Sequence, residues 1–318
     1  MQRLIPVPSM SYCLRVQRFL ANKREAYNKM KMMFFKIISF ACRRLPIPGK
    51  VLNFIIPTTF STDWANCSEI VKSRWGEARF NIVNLNDLIQ RQIFLQGYFE
   101  YFESKKLRKH LKPGMIYVDV GTNIGWHLLN ASYLVGPKGK VVGFEPSKNI
   151  YATLQRNINL NQNNNISTYN IAVGDKDEVL ELVRIDHGND GASTLHPKKG
   201  VNFDHDDKEL VEVRHGNNLF DALNLRHIDL LKVDVEGHEI SVLKGLSSIL
   251  QSGRVQSIMI ELNEEALNQA GYTGKDLLIL LESHHYQCKC IKTNTLIGSV
   301  STHIPELVNL FCTLQAHE

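Results

Sequence analysis

From Met115 to the C-terminus the chain alternates short, almost unbroken apolar runs with amphipathic helical periods, and that rhythm leaves few architectures open. "MIYVDVG", "KVVGFEP", "ISTYNIAVG", "IDLLKVDVEG" and "VQSIMIELN" predict strands. Helical patterns over "NIGWHLLNASYLV", "SKNIYATLQRNINLN", "HEISVLKGLSSILQSG" and "GKDLLILLESHH" separate them. A strand that stays apolar along its length is covered on both faces. Helices between such strands therefore predict a doubly wound, mostly parallel α/β sheet. "YQCKCIK" and "LVNLFCTL" read as a closing pair, and "EVLELVRI" with "ELVEVRH" predicts a hairpin inserted between Lys176 and Arg214.

The part before this rhythm has a different character. Residues 1 to 50 hold 11 Lys and Arg against the single acid Glu25, which leaves 26 bases and 31 acids for the rest of the chain. Within this basic head, "EAYNKMKMMFFKIISFACRRL" has helical periodicity, with Lys29, Lys36 and Arg43 on one face and Met30, Met33, Phe34, Ile37, Ile38 and Ala41 on the other. Such a helix either packs on protein or lies on an anionic membrane surface, a peripheral contact. Lys36 interrupts its apolar core and no A-x-A-like site follows, which argues against a signal peptide. No apolar run reaches the roughly 18 residues of a membrane span. Pro46 and Pro48 end the helix, a connector runs to about Phe80, and Leu85 to Leu111 is helical in parts with a break at Gly97. The expected division is an extension over 1–80 and a catalytic domain over 81–318. Cys13, Cys42, Cys67, Cys288, Cys290 and Cys312 show no C-x-x-C spacing and are expected to be reduced, mostly buried thiols of a cytoplasmic protein.

Open α/β sheets bind ligands at the carboxyl ends of the strands, where strand order reverses. The turn after the first strand, "DVGTNIG", therefore carries the chemistry. Gly121 and Gly125 allow a sharp turn and a close backbone approach. A dinucleotide fingerprint would read G-x-G-x-x-G, whereas here Asn123 stands between the glycines and Trp126 or His127 fills the later place. Glu145, ending "GFEP", lies where a carboxylate accepts both hydroxyls of an adenosine ribose. Asp119 is an acid at a strand end, where a ligand with an ammonium and a sulfonium would be attracted. S-adenosylmethionine has both. A second cluster, Asp234, Glu236, His238 and Glu239, ends the apolar run "LLKVDVEGHE". Such a cluster is either a helix start favoured by its dipole or a site.

"VDVGTNIG", "GFEPSKNIYATLQRNINLN", "NIAVGD", "GASTL", "LLKVDVEGHEISVLKG" and "IMIELN" together resemble the FkbM-type methyltransferases, a branch of the class I S-adenosylmethionine-dependent enzymes. The likeness runs from about Asp87 to the C-terminus, and "QGYFE", Gln96 to Glu100, is similar to the segment the family has ahead of its cofactor loop. It implies a Rossmann-like, seven-stranded sheet. It also implies that Asp119, Gly121, Thr122, Asn123, Gly125 and Asp234 surround the methionine portion of the cofactor, that Glu145 binds the ribose, and that Pro146, Ala172 and Val173 border the adenine. His238 departs from the family, which has a small residue there.

A neutral hydroxyl is a poor nucleophile, so an acceptor for its proton helps methyl transfer. Asp234, Glu236 and His238 are the candidates for that role. Glu100, Ser193, Thr194 and Glu239 are candidate acceptor contacts. Asp234, Glu261 and Asn263 could instead jointly offer hard oxygen ligands to Mg²⁺. The resemblance implies a sugar, glycan or small-metabolite hydroxyl as methyl acceptor. Nucleic acid is disfavoured, since the body is acidic and D-V-E-G stands where amino-methylating enzymes have an N-P-P-Y type element. The alternatives are a nucleic-acid or lipid-linked substrate, or a methyltransferase fold that binds without catalysing.

Overall fold

The first strand of the main sheet in chain order, β3 (Ile116–Val120), lies at its centre, and its composition explains why. Val118 and Val120 face one apolar layer and Tyr117 the other, so neither face meets water. The computed structural model describes residues 68–185, 192–198 and 200–315, with 23, 30, 32, 33 and 36–43 of the head. Among them, β3 is followed by α3 (Trp126–Val135), β4 (Lys140–Phe144), α4 (Lys148–Asn161) and β5 (Ile166–Tyr169). Beyond the insertion come α5 (Gly216–Ala222), β10 (Leu230–Val233), α6 (Glu239–Gly245), α7 (Ser247–Gln251), β11 (Ser257–Asn263), α8 (Glu264–Gln269) and α9 (Gly274–Ser283). β12 (Tyr286–Cys290) and β13 (Leu307–Leu314) close the chain.

The main sheet has seven strands in the order β12-β13-β11-β10-β3-β4-β5. β5, β4, β3, β10 and β11 run parallel, and β13 pairs antiparallel with both β11 and β12. This is the doubly wound α/β architecture of the class I, Rossmann-like kind. The order reverses between β3 and β10, so their carboxyl ends open the crevice in which such sheets hold ligands.

Local signals set the elements in front of the sheet. α1 (Leu88–Gln96) starts where the Asp87 carboxylate accepts from Gln90 N and stops where Gly97 adopts φ 72°. α2 (Tyr101–His110) follows, so the break expected at Gly97 is present. The connector expected up to Phe80 contains instead an antiparallel hairpin, β1 (Glu69–Lys72) and β2 (Arg79–Ile82). Its strands are only four residues long, too short for a period to register in the sequence.

Two further expectations are corrected. "ISTYNIAVG" is not one strand: β5 ends at Tyr169, and β6 (Ala172–Gly174) joins a second, four-stranded sheet. That sheet, of order β6-β9-β7-β8, is built from the expected hairpin, β7 (Glu178–Arg184) and β9 (Lys208–His215), with the short β8 (Ser193–Thr194) on its edge. Cys288 and Cys312 are not free thiols but are joined by a disulfide, because the β12–β13 register sets them directly opposite each other. Cys42 and Cys290 are free and buried, and Cys13 and Cys67 lie outside the described residues.

The chain divides into two compact units, one of residues 1–61 with 94–96 and one of residues 62–93 with 97–318, so the β1–β2 hairpin belongs to the second. In the first unit, residues 36–42 are helical. Ser39 and Cys42 are buried and Ile38 and Ala41 half-buried, while Met30, Met33 and Ile37 of the expected apolar face are about 60% exposed. Lys29, Phe34 and the Pro46–Pro48 stop fall outside the described residues. Among the described residues, no helix is long and apolar enough to cross a membrane.

Candidate active site

An open cleft sits over the carboxyl ends of β3, β4 and β10. Its first wall is the glycine loop. Gly121 turns with φ 86°, and Gly121 N and Thr122 N both donate to Phe144 O at 3.0 Å, tying the loop to the end of β4. A Cβ on Gly121 would stand 2.9 Å from the Asp234 carbonyl carbon and closer still to its oxygen, so the end of β10 leaves no room for a side chain. Asn123, at φ 53°, donates its backbone N–H to Glu145 Oε2 at 2.9 Å, and Ser147 N donates to Oε1 at 3.0 Å. Burial pushes the Glu145 carboxyl up to about 7 against these two donors. Pro146, Ala172 and Val173 line the cleft beside it, Ala172 and Val173 from β6.

Two of the expected loop residues, Gly125 and Asp119, do not line the cleft. Gly125 opens α3 with φ 91°, and a Cβ there would meet Leu154 Cδ1 at 2.6 Å; it packs behind the loop and does not line the cleft. Asp119 also lies off the cleft wall. Strand alternation turns it to the Tyr117 side, where it is 1% exposed and neither carboxylate oxygen has a hydrogen-bond partner. Burial pushes its carboxyl up to about 6, opposed chiefly by the charge of Lys232. Asp119 therefore lies beneath the floor as a counter-charge to Lys232.

The floor is made of ionisable groups. Lys232 lies on β10 directly across from Asp119 in the sheet register, and its Nζ donates to Asp234 Oδ2 at 2.7 Å. Burial disfavours the ammonium, but Asp234, Asp119 and Glu100 outweigh it and the Lys232 pKa is raised. Asp234, Glu236 and Glu261 each bring a carboxylate oxygen within 4.8 Å of the others. Burial, then the charge of Asp234, pushes Glu236 up to about 8 and Glu261 up to about 9. Glu100 takes a left-handed backbone, φ 46°, at the start of α2 and meets His127 Nε2 with its Oε2 at 2.6 Å. Burial raises the Glu100 carboxyl, but the His127 hydrogen bond and the Lys232 charge hold it below the usual carboxylate range.

The remaining wall comes from the insertion and the "DVEGHE" turn. Thr194 Oγ1 donates to Glu236 O at 2.6 Å, holding β8 against the turn. Ser193 faces the cleft and Thr194 does not. His196 Nε2 and His238 Nδ1 are 2.9 Å apart with stacked rings, and His238 lines the cleft. Burial pushes His238 down to about 4 and also lowers His196.

Two further candidates do not touch the cleft. Glu239 is 1% exposed and accepts from Val235 N at 3.1 Å and Gly237 N at 3.1 Å, so it braces the turn and is no acceptor contact. Asn263 caps α8, its Oδ1 accepting from Ala266 N, and Glu236 takes its place beside Asp234 and Glu261.

Sequence reasoning passed over Lys232, His127 and His196. Lys232 could have been found, since a lysine inside the apolar run "LLKVDV" is costly to bury without partners. His127 reads as an ordinary helix residue until Glu100 is folded onto it. His196 lies in a polar loop with no local signal.

Residues 119–288 match the methyltransferase FkbM domain model. The chain is 31% identical over 144 residues, 41% of its length, to "Methyltransferase 1" of Beauveria bassiana. It is 28% identical over 177 residues, 55% of its length, to the "Hexuronic acid methyltransferase AglP" of Haloferax volcanii. It spans 57% and 65% of the lengths of these two curated relatives. A solved SAM-dependent O-methyltransferase from Thermotoga maritima aligns with TM-score 0.39 and 12% identity over 79% of each chain. A SAM-dependent methyltransferase from Aquifex aeolicus aligns with TM-score 0.38 and 14% identity over 67% of this chain and 90% of its own. With the domain match covering more than half of the sequence, from the end of β3 to β12, the chain belongs to the FkbM methyltransferase family.

Proposed function

We propose that this protein transfers a methyl group from S-adenosylmethionine to a hydroxyl oxygen of a sugar, glycan or small metabolite. The observation that carries the proposal is the acid-rich cleft at the carboxyl ends of β3, β4 and β10. Glu100, Glu145, Asp234, Glu236 and Glu261 line it against one buried ammonium, Lys232. With Glu236 and Glu261 holding protons near pH 7, Glu100 and the Asp234 carboxylate still outnumber the Lys232 ammonium, and a site with that balance attracts a cation.

The residues present fit the donor. Gly121 offers backbone where a Cβ would collide, and Glu145 keeps lone pairs for a ribose diol beyond the two N–H groups it already accepts. Thr122 and Asn123 would border the methionine portion, and Pro146, Ala172 and Val173 the adenine. When bound, the donor supplies an electrophilic methyl on a sulfonium. The protein's own part is to hold an acceptor hydroxyl in line and to take its proton.

Asp234 is the favoured proton acceptor. Its Oδ2 is held by Lys232, and Oδ1 has no partner among the described residues. Glu236 and Glu261 are raised far enough to hold protons near pH 7, and His238 is pushed so far down that it is a weak base. No step is assigned to a metal, because the Lys232 ammonium already compensates Asp234. The hexuronic acid methyltransferase among the relatives favours a sugar-like acceptor. We propose further that the basic head makes a peripheral contact with anionic membrane.

Calorimetric titration with S-adenosylmethionine and S-adenosylhomocysteine tests the donor assignment, and absence of binding at millimolar ligand refutes it. Comparison of methylated glycans and metabolites in cells with and without the protein identifies the acceptor.

A further inference from the structure

The methyl acceptor needs more than a base, and a buried positive charge, Lys232, lies beside Asp234. Lys232 sits inside the parallel core of the sheet, yet its ammonium reaches the cleft. Burying an ammonium is expensive unless charge and hydrogen bonding compensate it. The chain surrounds it with four acids. Asp119 comes from β3, Asp234 from the end of β10, Glu100 from the start of α2 and Glu236 from the turn after β10. An ammonium has three donors. Only Asp234 Oδ2 is within hydrogen-bond distance of Nζ among the described residues, so donors remain for a group entering the cleft.

A purely structural cation would be expected to lie away from solvent with its donors matched by the protein. Lys232 is equally buried, at 5% exposure, but it lines the cleft beside Asp234, Glu236 and Glu261 with a single hydrogen-bond partner among the described residues. The left-handed backbone at Glu100 and at Glu236, φ 46° and 50°, shows that the chain also tolerates unusual turns on both sides of it.

We propose that Lys232 is the acceptor-positioning residue of the transferase: its ammonium donates a hydrogen bond to the acceptor oxygen while Asp234 Oδ1 takes that oxygen's proton. The acceptor O–H bond breaks, its electron pair stays on oxygen, and the proton forms a bond to the Asp234 carboxylate. Negative charge that grows on the acceptor oxygen is met by the fixed ammonium, with no reorganisation of water. The inference rests on the hydroxyl-transfer function proposed above.

The test compares wild type with Lys232→Met, Lys232→Arg and Asp234→Asn. S-adenosylhomocysteine binding is followed by calorimetry, and transfer of labelled methyl is followed to a panel of hexoses, hexuronic acids and their methyl glycosides across pH. Removing a donor to a developing oxyanion costs about 10²–10³-fold in rate. Lys232→Met is expected to bind S-adenosylhomocysteine within a few-fold of wild type and to lose about 100-fold or more in kcat.

The pH profile separates positioning from mere folding. Asp119, Glu100, Glu236, Glu239, Glu261, His127 and Tyr117 face the Lys232–Asp234 pair, and all but His127 and Tyr117 are acids. Without the ammonium the Asp234 carboxylate loses its ion-pair partner, so the acid limb of the rate profile moves to higher pH in Lys232→Met. Lys232→Arg restores the wild-type limb, because it keeps the charge. Wild-type rates in Lys232→Met, or an unmoved acid limb, overturn the role. If Lys232→Met does not fold, Lys232→Arg and Asp234→Asn still decide, since a rate in Asp234→Asn equal to wild type overturns the proton transfer. A wild type that binds S-adenosylhomocysteine and labels no hydroxyl overturns the acceptor assignment and this role with it. A wild type that binds no S-adenosylhomocysteine overturns the transferase function itself.

Discussion

Replacing Gly121 by alanine tests the geometry of the cleft most directly, because the cost can be worked from two separate terms. The first is the backbone, since an L-residue in the left-handed region costs about 1–2 kcal/mol. The second is space: the new methyl would sit 2.9 Å from the Asp234 carbonyl carbon and nearer to its oxygen, and relieving such overpacking costs about 1–3 kcal/mol. Gly114 isolates the first term. It has φ 90°, and a Cβ there meets nothing within 4 Å. Gly114→Ala is therefore expected to lose only the backbone term, and Gly121→Ala to lie about 1–3 kcal/mol below it. For a domain of this size that difference lowers the melting temperature by about 2–12 °C more than Gly114→Ala does. Differential scanning calorimetry of the two variants reads it out. Calorimetric titration should in addition find donor binding lost in Gly121→Ala alone, since the displaced β10 end belongs to the cleft. Equal melting temperatures with unchanged donor binding in both variants would refute the close approach of the loop to β10.

Further predictions concern the acids, the disulfide and the head. Glu145→Ala removes the acceptor of two backbone N–H groups and of the proposed ribose, and S-adenosylhomocysteine binding should weaken about 10–100-fold, read by calorimetry. Glu145, Glu239, Glu236 and Glu261 are raised to about 7, 7, 8 and 9, so between pH 5 and 9 the folded chain binds more protons than the unfolded one. Stability should then fall as pH rises through that window, by roughly 3 kcal/mol for Glu145 alone, and urea unfolding that strengthens over it would contradict the burial of these carboxyls. A non-reduced digest should contain the Cys288 and Cys312 peptides linked, and mass spectrometry finding both alkylated without reductant would remove the disulfide. Vesicles with anionic lipid should pellet the full chain more than neutral ones, and Lys23→Glu with Lys36→Glu should weaken this; equal pelleting on both lipids argues against the basic head as the contact.

Much of the fold was present in the order of residues. Strands such as "LLKV" and "IMIEL" are apolar on both faces, which demands helical cover above and below, and helices lie between them in sequence. Gly121, Asn123 and Glu145 could be placed because a strand, its turn and the next strand are local units whose geometry the chain sets within about 25 residues. The β1–β2 hairpin and the split between β5 and β6 were not legible, because strands of three or four residues leave no period and their partners are chosen across the fold.

The chemistry of the site was divided in the same way. Residue identities fixed by themselves that an acidic cleft would follow a glycine loop at the end of a buried strand. Tertiary structure alone decided which acids face it. Strand alternation turned Asp119 beneath the floor, Asn263 and Glu239 were used to cap and brace backbone, and Glu236 came to Asp234 and Glu261 instead. Only the fold brought Glu100 to His127 and His196 to His238, pairs separated by 27 and 42 residues. The reason is physical: local pattern reports which face of an element is apolar, whereas charge compensation depends on distances between elements that sequence order does not contain.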